Sequence, residues 1–273
     1  MNSATVAPYA EEMMRLADTA SLGKPLSARV DGFGIADAYK ISREVLRRRE
    51  AAGWRRVGRK IGFTNRTILE QYGVFDPIFG YMYDRTVSYA SDGAKASLSL
   101  AGLVQPLIEP EIVFRLRRPP PDTGDPRELL DCIEWLSHGF EIVQCHFPRW
   151  KFKAADTVAD GGLHGRYVVG PPVAVDPASF DTLAQQLAAF RIASFKNGWP
   201  AAEGGGEFVL GSPLNALAHL FEVLRGLPDH PPLEGGEIVT TGTLTAALPV
   251  VAGETWSTRI DGLAVAGMEL RLV

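Results

Sequence analysis

The sequence of 273 residues has few cysteines and no long apolar run, and each absence excludes a class of protein. Its two cysteines, Cys132 and Cys145, are too few for a disulfide framework, so we expect reduced thiols in a cytoplasmic protein. The first residues carry acids and lack the basic-then-apolar pattern of a signal peptide. No apolar run is long enough to span a bilayer, so we expect no membrane partner.

Positive charge is also scarce. The chain has 28 lysines and arginines against 32 aspartates and glutamates, which gives a formal net charge of −4. Its one compact basic block is the arginine triplet at 47–49, which we interpret as the solvated face of a helix. A nucleic-acid partner is therefore not expected. Histidine is absent before His138, and this absence bears on the choice of reaction below.

Two helical patterns come first, and strand patterns dominate afterwards. Apolar spacing predicts helices over 7–20 and 35–52. We therefore expect an α+β fold with a mainly helical N-terminal region over 1–90 and a β-rich domain over 91–273. Strands are predicted at 56–63, 81–89, 96–100, 107–116, 139–143, 166–175, 187–195, 237–241, 256–260 and 263–272, and further helices at 65–72, 127–136 and 213–225.

The strand pattern over 107–116 carries two acids on one face. Side chains alternate along a strand, so Glu109 and Glu111 leave the same face, and their apolar neighbours indicate a core position. Two carboxylates there repel each other and lose solvation, unless a cation joins them or their pKa values rise. A divalent metal fits this pattern. A half-exposed edge strand with two solvated acids fits it as well, and Pro110 suits an edge.

Glu141 is a third acid in an apolar strand pattern. Three carboxylates, with the remaining positions left to water or substrate, suit a hard, oxygen-preferring ion such as Mg²⁺ or Mn²⁺. Zinc is disfavoured because no histidine lies at ligand spacing beside these acids. His146 and His164 are candidates to join such a site, although a single histidine is more often a hydrogen-bonded structural residue.

Three further stretches have both a functional and an ordinary interpretation. Lys60 shares a strand face with Gly62, which leaves space beside the ammonium. A lysine near a metal can bind a carboxylate or move a proton, whereas lysines at strand ends are usually solvated. Residues 150–162 predict a turn that leads into a glycine loop, or an ordinary surface turn. Residues 240–243 offer amides and hydroxyls for a carboxylate oxygen, or form a tight turn.

In this order along the chain, the motifs resemble the fumarylacetoacetate hydrolase superfamily, and within it the branch of 2-keto-4-pentenoate hydratases and 4-oxalocrotonate decarboxylases. The resemblance extends from residue 35 to the C-terminus. Each motif is weak alone, but the ordered set is specific. The motifs are GRKIGFT at 58–64, PIFG at 77–80, EPE at 109–111, FEIV at 140–143, ADTVAD at 155–160, LGSPLNA at 210–216 and TGTLTAALPV at 241–250.

The resemblance implies a mixed β-sandwich roll with a partly helical N-terminal region, and a homo-oligomer. It also implies a metal site for Mg²⁺ or Mn²⁺, an active-site lysine and a threonine-glycine substrate loop. On this basis we predict the metal ligands Glu109, Glu111 and Glu141, the catalytic residues Lys60, Asp156 and His164, and the substrate-binding residues Lys151, Thr241, Gly242 and Thr243.

The activity implied by the resemblance is that of a lyase, a hydratase of 2-oxoalk-4-enoates in aromatic-compound catabolism. The metal would chelate the carboxylate and 2-oxo oxygens of a small 2-oxo acid and stabilise an enolate. Lys60 would move a proton, and water would add at the conjugated carbon. The alternatives are decarboxylation of a 2-oxo dioate, C–C hydrolysis of an acylpyruvate, and a non-catalytic binder. Relatives that hydrolyse often use an N-terminal His–Glu pair, and no histidine precedes His138 here.

Three departures from the branch pattern lie beside the expected pocket. Residues 144–146 are Gln-Cys-His where branch members commonly have Asp-Ser-Arg. Residues 159–164 are Ala-Asp-Gly-Gly-Leu-His where Ala-Asp-Asn-Ala-Ser is common. An acid that often follows Gly-Val is replaced by Phe75, with Asp76 one place later. These departures leave the substrate and the reaction open.

Overall fold

The computed structural model describes residues 3–65, 76–121 and 123–273, so Phe75 and most of the helix expected at 65–72 lie outside the described residues. The α-helices in these ranges are α1 (Ser3–Asp18), α2 (Ile35–Ala51), α3 (Pro126–Asp131), α4 (Ala154–Ala159), α5 (Phe180–Ala189) and α6 (Pro213–Arg225). The strands are β1 (Arg56–Gly62), β2 (Ile78–Tyr83), β3 (Val87–Tyr89), β4 (Lys95–Leu98), β5 (Leu107–Leu116), β6 (Ile133–Val143), β7 (His164–Val169), β8 (Val173–Ala174), β9 (Arg191–Lys196), β10 (Trp199–Gly205), β11 (Ile238–Thr240), β12 (Leu248–Pro249), β13 (Thr255–Asp261) and β14 (Glu269–Leu272).

The strands form two mixed sheets. The larger has the order β2-β1-β11-β5-β6-β7-β3, with β12 added to β5 and β8 to β6. The second has the order β10-β9-β13-β14-β4. Most pairs are antiparallel, whereas β1 with β11, β3 with β7 and β4 with β14 are parallel. The β-rich α+β roll with N-terminal helices that the sequence predicts is confirmed.

Two apolar clusters hold the sheets and helices together. One joins the helices to the larger sheet through residues such as Leu16, Leu46, Leu217 and Phe114. The other lies where the second sheet packs on the first, and includes Trp256. Because β1 and β2 pair into the same sheet as β11 and β5, the N-terminal region and the main part are continuous through hydrogen bonds. The division near residue 90 therefore stays a prediction.

Several boundaries differ from the expected ones. The strand expected at 187–195 begins at Arg191, because α5 continues to Ala189. The helix expected at 127–136 ends at Asp131, and β6 begins at Ile133. The strand expected at 81–89 is divided into β2 and β3 by a turn. Asn197 and Gly198 predict a hairpin between two strands, and β10 pairs antiparallel with β9 directly after them. The residues of β10 gave no signal of their own, since proline, alanine and glycine supply five of its seven residues and have low strand propensity.

Cys132 and Cys145 are both buried, and neither forms a disulfide. Among the described residues, no helix is both long and apolar enough to cross a membrane. The expected homo-oligomer stays a prediction.

Candidate active site

Three carboxylates meet on one face of the β5–β6 pair. The register places Glu109 directly opposite Glu141, and Glu111 opposite Gly139. Residues that face each other across a ladder project from the same side of the sheet. One oxygen from each of Glu109, Glu111 and Glu141 therefore lies within 4.8 Å of the other two. The structure brings the three predicted metal ligands together, and their role as ligands stays a prediction.

Lys60 reaches the same place from β1. Its side chain is 3% exposed, and its Nζ lies 3.2 Å from Glu141 Oε2 and donates to the Gly162 carbonyl at 2.9 Å. Two glycines make room for it. A Cβ on Gly62 would lie 3.3 Å from Nζ, and one on Gly162, whose φ is +71°, would lie 3.1 Å from the Lys60 Cδ. The ammonium is thus held tightly against the carboxylates.

The cluster is unbalanced in charge. Three ionised carboxylates and one ammonium carry a formal charge of −2. Burial raises the pKa of Glu109 to about 7, and burial together with Glu141 raises the pKa of Glu111 well above its ordinary value. Burial also opposes the charge on Lys60 and Glu141. The carboxylates nevertheless raise the pKa of Lys60, and Lys60 and His164 lower that of Glu141.

A divalent cation fits this donor set. Glu111 Oε1 is buried and accepts no hydrogen bond within the described residues, whereas the buried Glu141 Oε2 lies 3.2 Å from the Lys60 ammonium. Such buried oxygens are costly unless they are compensated. A divalent ion would supply the two missing positive charges and use both oxygens. Carboxylate oxygens are the ligands that Mg²⁺ and Mn²⁺ prefer.

His164 lies behind Glu141. Its Nδ1 is 2.8 Å from Glu141 Oε1, and its Nε2 is 2.9 Å from Thr86 Oγ1. The imidazole therefore fixes the orientation of the Glu141 carboxylate. Thr86 lies in the turn between β2 and β3, where its hydroxyl also accepts from the amide of Tyr83. Nothing in the local sequence indicates this contact, because it joins segments that are far apart in the chain.

The threonine-glycine loop contacts the cluster through its backbone. The Gly242 amide donates to Glu111 Oε2 at 3.1 Å. Gly242 has a φ of +93°, and a Cβ there would lie 2.0 Å from Thr64 Oγ1, so the position requires glycine. The hydroxyl of Thr241 donates to the Ile112 carbonyl, and that of Thr243 donates to the Thr245 carbonyl. Both hydroxyls therefore stabilise the loop.

A small pocket opens beside the cluster. Lys60 and Glu109 are its charged lining residues among those described, and Gly242 and Thr243 lie on one side. The remaining lining includes two polar side chains, Thr64 and Asn65. Its apolar side chains are Leu107, Val143, Leu163 and Ala247 with three aromatic rings, Phe63, Trp150 and Phe152.

Two predicted site residues lie elsewhere. Lys151 is exposed and, in the described part of the chain, does not line the pocket. Asp156 is fully buried, and its carboxylate accepts from the amide and hydroxyl of Ser27, at 2.8 and 2.5 Å, and from the Lys153 amide at 2.8 Å. These are the contacts of a cap at the start of α4. The substrate-binding role of Lys151 and the catalytic role of Asp156 stay predictions that these positions do not favour.

His146 also has a structural environment. Its Nδ1 lies 2.6 Å from Asp160 Oδ1, and its amide donates to Asp160 Oδ2. The pair ties the end of β6 to the glycine turn at 161–162, which carries the carbonyl that Lys60 contacts. The departures from the branch pattern at 144–146 and 159–164 are thus adjacent in space.

Tyr167 is a neighbour of the cluster that sequence reasoning missed. It faces Glu141 across the β6–β7 pair and is fully buried. A Cβ on Gly139 would lie 2.6 Å from its Oη, so this glycine makes room for the ring. Burial and the charges of Glu111 and Glu141 raise its pKa well above the ordinary value. A glycine inside an apolar strand was the available signal for this close approach.

A family model described as the C-terminal domain of fumarylacetoacetate (FAA) hydrolase matches residues 78–270. The chain belongs to the fumarylacetoacetate hydrolase family. A 2-hydroxyhexa-2,4-dienoate hydratase from Comamonas testosteroni is 38% identical over 246 residues, which cover 90% of this chain and 89% of the relative. A 2-keto-4-pentenoate hydratase from Paraburkholderia xenovorans (strain LB400) is 34% identical over 246 residues, 88% of this chain and 87% of the relative.

A solved member of this family matches the whole fold. The 4-oxalocrotonate decarboxylase from Pseudomonas putida G7, complexed with magnesium and adipate, superposes with a TM-score of 0.88 at 26% identity. The match covers 100% of this chain and 99% of that one. The chain is therefore an enzyme of the fumarylacetoacetate hydrolase family, in the branch of 2-keto-4-pentenoate hydratases and 4-oxalocrotonate decarboxylases.

Proposed function

We propose that this enzyme is a metal-dependent hydratase of 2-oxoalk-4-enoates, that is, a hydro-lyase that acts on a small 2-oxo acid. One observation carries the proposal: three carboxylates converge beside a buried lysine at one end of a largely apolar pocket. Relatives named as hydratases, at 34% and 38% identity over nearly the whole chain, support the choice of reaction.

Glu109, Glu111 and Glu141 hold the divalent cation, Mg²⁺ or Mn²⁺. When bound, such an ion supplies a Lewis acid that polarises a 2-oxo carbonyl and stabilises negative charge on its oxygen. His164, fixed by Thr86, keeps Glu141 in its orientation and acts as a positioning residue. The Gly242 amide does the same for Glu111.

Lys60 is the residue that transfers a proton to or from the substrate. Its Nζ lines the pocket and lies 3.2 Å from Glu141, so it is placed beside a bound substrate, where it can transfer a proton as the double bonds of the substrate shift. The apolar walls limit bulk water around the reacting carbons, and Gly242 and Thr243 line one side of the pocket.

Decarboxylation of a 2-oxo dioate is the second candidate. The observation in its favour is the solved decarboxylase, which matches this chain along its full length. The same carboxylates and lysine would serve, because both reactions require charge to develop on a 2-oxo oxygen. The two candidate reactions differ in the substrate group at the far end of the pocket, because a 2-oxo dioate carries a second carboxylate there and a 2-oxoalk-4-enoate does not.

The test is to incubate the purified protein with Mg²⁺ and a panel of 2-oxoalk-4-enoates, unsaturated 2-oxo dioates and acylpyruvates, and to identify products by mass. We expect the gain of one water on 2-oxoalk-4-enoates. Lys60→Met, which keeps the volume and removes the charge, is the matched control and should lose this activity. Loss of CO₂ or chain cleavage as the main outcome would assign the alternative reaction, and Mg²⁺-dependent binding of 2-oxo acids without turnover would indicate a binder.

A further inference from the structure

We infer that Tyr167 is a positioning residue of the metal site, and that its hydroxyl donates a hydrogen bond to Glu111 and thereby strengthens the binding of the divalent cation. The inference rests on the proposed function in one respect, because it takes the carboxylate cluster as a cation site. It gives a role to a buried hydroxyl that the fold and the proposed reaction leave without one.

The hydroxyl of Tyr167 is not explained by packing. Its ring belongs to a small apolar cluster with Met82, Val113, Val169 and Ile238, and the whole side chain is excluded from solvent. A phenylalanine would fill the same space. Within the described residues, Tyr167 Oη is buried and has no hydrogen-bond partner. Because an unpaired buried hydroxyl costs free energy, its presence here requires a reason other than packing.

Strand register places this hydroxyl beside Glu111. Tyr167 lies opposite Glu141 across the β6–β7 pair, and Gly139 lies opposite Glu111 across the β5–β6 pair. A Cβ on Gly139 would lie 2.5 Å from Tyr167 Cε1 and 2.6 Å from its Oη. The end of the phenol therefore takes the space that a side chain at 139 would fill. Side chains that face each other across a ladder have Cβ atoms about 5 Å apart, so the hydroxyl is a close neighbour of Glu111.

The hydroxyl and the carboxylate match as donor and acceptor. Glu111 Oε2 accepts from the Gly242 amide at 3.1 Å, whereas Oε1 is buried and accepts no hydrogen bond within the described residues. A phenol is protonated at neutral pH, since its ordinary pKa is about 10, and a carboxylate oxygen has two lone pairs. Oε1 can therefore bind an ion with one lone pair and accept from Tyr167 with the other. The last torsion of a glutamate is broad, so the carboxylate can turn toward the phenol.

A hydrogen bond of this kind acts on metal affinity. Groups that hydrogen-bond a metal ligand fix its orientation, and His164 does so for Glu141. Tyr167 would do the same for Glu111. Removing its hydroxyl should therefore weaken metal binding, while in the metal-free protein it removes only an unpaired buried group. These two effects have opposite signs, which separates a positioning role from a packing role.

The first experiment measures Tyr167→Phe by calorimetry with Mg²⁺ and by denaturant titration with EDTA present. We expect the Mg²⁺ dissociation constant to rise by about tenfold or more, since such neighbours of a ligand are typically worth that much. Without metal, the free energy of unfolding should equal or exceed that of the wild type. An unchanged Mg²⁺ dissociation constant would overturn the inference. Tyr167→Met, whose flexible side chain adapts to the space of the ring, carries the same expectation for Mg²⁺ if Tyr167→Phe fails to fold.

Tyr81→Phe is the matched control. Tyr81 is also buried, but it faces Arg59 across the β1–β2 pair, and its hydroxyl lies 2.6 Å from His230 Nδ1. Loss of this hydrogen bond should lower the free energy of unfolding and leave the Mg²⁺ dissociation constant unchanged. An equal rise of the dissociation constant in Tyr81→Phe and Tyr167→Phe would contradict a specific role for Tyr167.

The second experiment follows turnover of a 2-oxoalk-4-enoate by Tyr167→Phe as Mg²⁺ is raised. At saturating Mg²⁺ we expect kcat within a few-fold of the wild type, because Tyr167 acts through the affinity for the ion. Lys60→Met should not be rescued in this way. A kcat of Tyr167→Phe that stays low at saturating Mg²⁺ would contradict the positioning role and indicate that the phenol acts on the substrate.

The inference and the proposed function fail in different ways. If the wild type hydrates 2-oxoalk-4-enoates and Tyr167→Phe binds Mg²⁺ as tightly as the wild type, the hydratase assignment stands and the inference is wrong. If Tyr167→Phe loses Mg²⁺ affinity but the wild type hydrates no 2-oxo acid, the inference stands and the reaction assignment is wrong.

Discussion

Arg59 and Lys60 are neighbours on β1, yet their side chains enter opposite faces of the larger sheet and meet different surroundings. Arg59 is fully buried, forms an ion pair with Glu237, donates to the Pro231 carbonyl and lies 4.6 Å above the ring of Tyr81. A second guanidinium, that of Arg56, lies 3.2 Å from Glu237. Lys60 instead meets three carboxylates that it cannot neutralise alone.

The difference separates a structural charge cluster from a binding site. On the Arg59 side, the chain itself supplies counter-charges of both signs and a stacking ring. On the Lys60 side, three carboxylates face one ammonium, whereas Arg56 and Arg59 face Glu234 and Glu237. Both clusters contain buried polar atoms without a hydrogen-bond partner among the described residues, so the balance of charge is what separates them. We call the balanced cluster complete and the unbalanced one incomplete, because excess buried charge requires a counter-charge from outside.

The largest expected effect is that of Glu111→Gln, which keeps the shape and removes one charge from the incomplete cluster. We expect kcat/KM to fall by about a thousandfold, equivalent to ~4 kcal/mol, because charge stabilisation at the 2-oxo oxygen depends on the bound ion. Mg²⁺ affinity, measured by calorimetry, should fall in parallel. Without metal, the free energy of unfolding of the variant should equal or exceed that of the wild type, because one of three mutually repelling carboxylates has been removed. Unchanged turnover and Mg²⁺ affinity would defeat the metal assignment.

The same substitution in the complete cluster should act on stability instead. Glu237→Gln leaves Arg59 buried without a carboxylate, and the free energy of unfolding should fall by about 3 kcal/mol. Denaturant titration checks this value, and Mg²⁺ affinity should stay within a few-fold of the wild type. Adding Arg59→Met to Glu237→Gln should recover part of the loss, because the unpaired charge is then gone. If Glu237→Gln and Glu111→Gln had the same effect on stability, the comparison between the two clusters would fail.

The sequence predicted the elements whose signals are local. Strand β5 begins and ends where the alternation of apolar and acidic residues indicates, and α6 begins at Pro213, where Ser212 caps it. Where one stretch fits two local patterns, the observed boundary of the helix or strand differs from the predicted one. The apolar residues at 187–189 fit a strand or the last turn of an amphipathic helix, and packing of α5 decides for the helix.

The site could be predicted only in part, because local patterns do not determine how distant strands pair. Strand geometry alone places Glu109 and Glu111 on the same face. The position of Glu109 opposite Glu141 depends on the register between β5 and β6, which the local pattern does not fix. Contacts between distant segments, such as His164 with Thr86 or Asp156 with Ser27, are beyond local reasoning altogether. The second of these explains why a motif residue can be buried and yet lie outside the pocket.

A smaller effect should appear with pH on the Arg59 side. His230 stacks on Tyr81, and burial, with Arg43 and Arg59, lowers its pKa from 6.5 to about 4. Below pH 6.5 the unfolded chain takes up a proton that the folded chain resists, so stability should fall between pH 6.5 and 4 and level off below. The full shift is worth about 3 kcal/mol, and solvent screening at this partly buried site reduces the contribution to about 2 kcal/mol. His230→Gln, measured by denaturant titration with EDTA present, should remove this part of the pH dependence. A variant that loses stability as steeply as the wild type would rule out His230 as the source.

The smallest expected effect concerns Asp156 and Ser27, and it separates a cap from a catalytic acid. Ser27→Ala removes the hydroxyl that donates to Asp156 and should lower the free energy of unfolding by about 1 kcal/mol. Asp156→Asn should cost somewhat more, because charge-assisted bonds to two backbone amides weaken as well. If the carboxylate only ties α4 to the turn at Leu26–Ala28, both variants should change kcat by the same small factor at a temperature where both are folded. A catalytic Asp156 would instead make kcat fall sharply in Asp156→Asn alone, so the ratio of the two kcat values reports the role of the carboxylate directly.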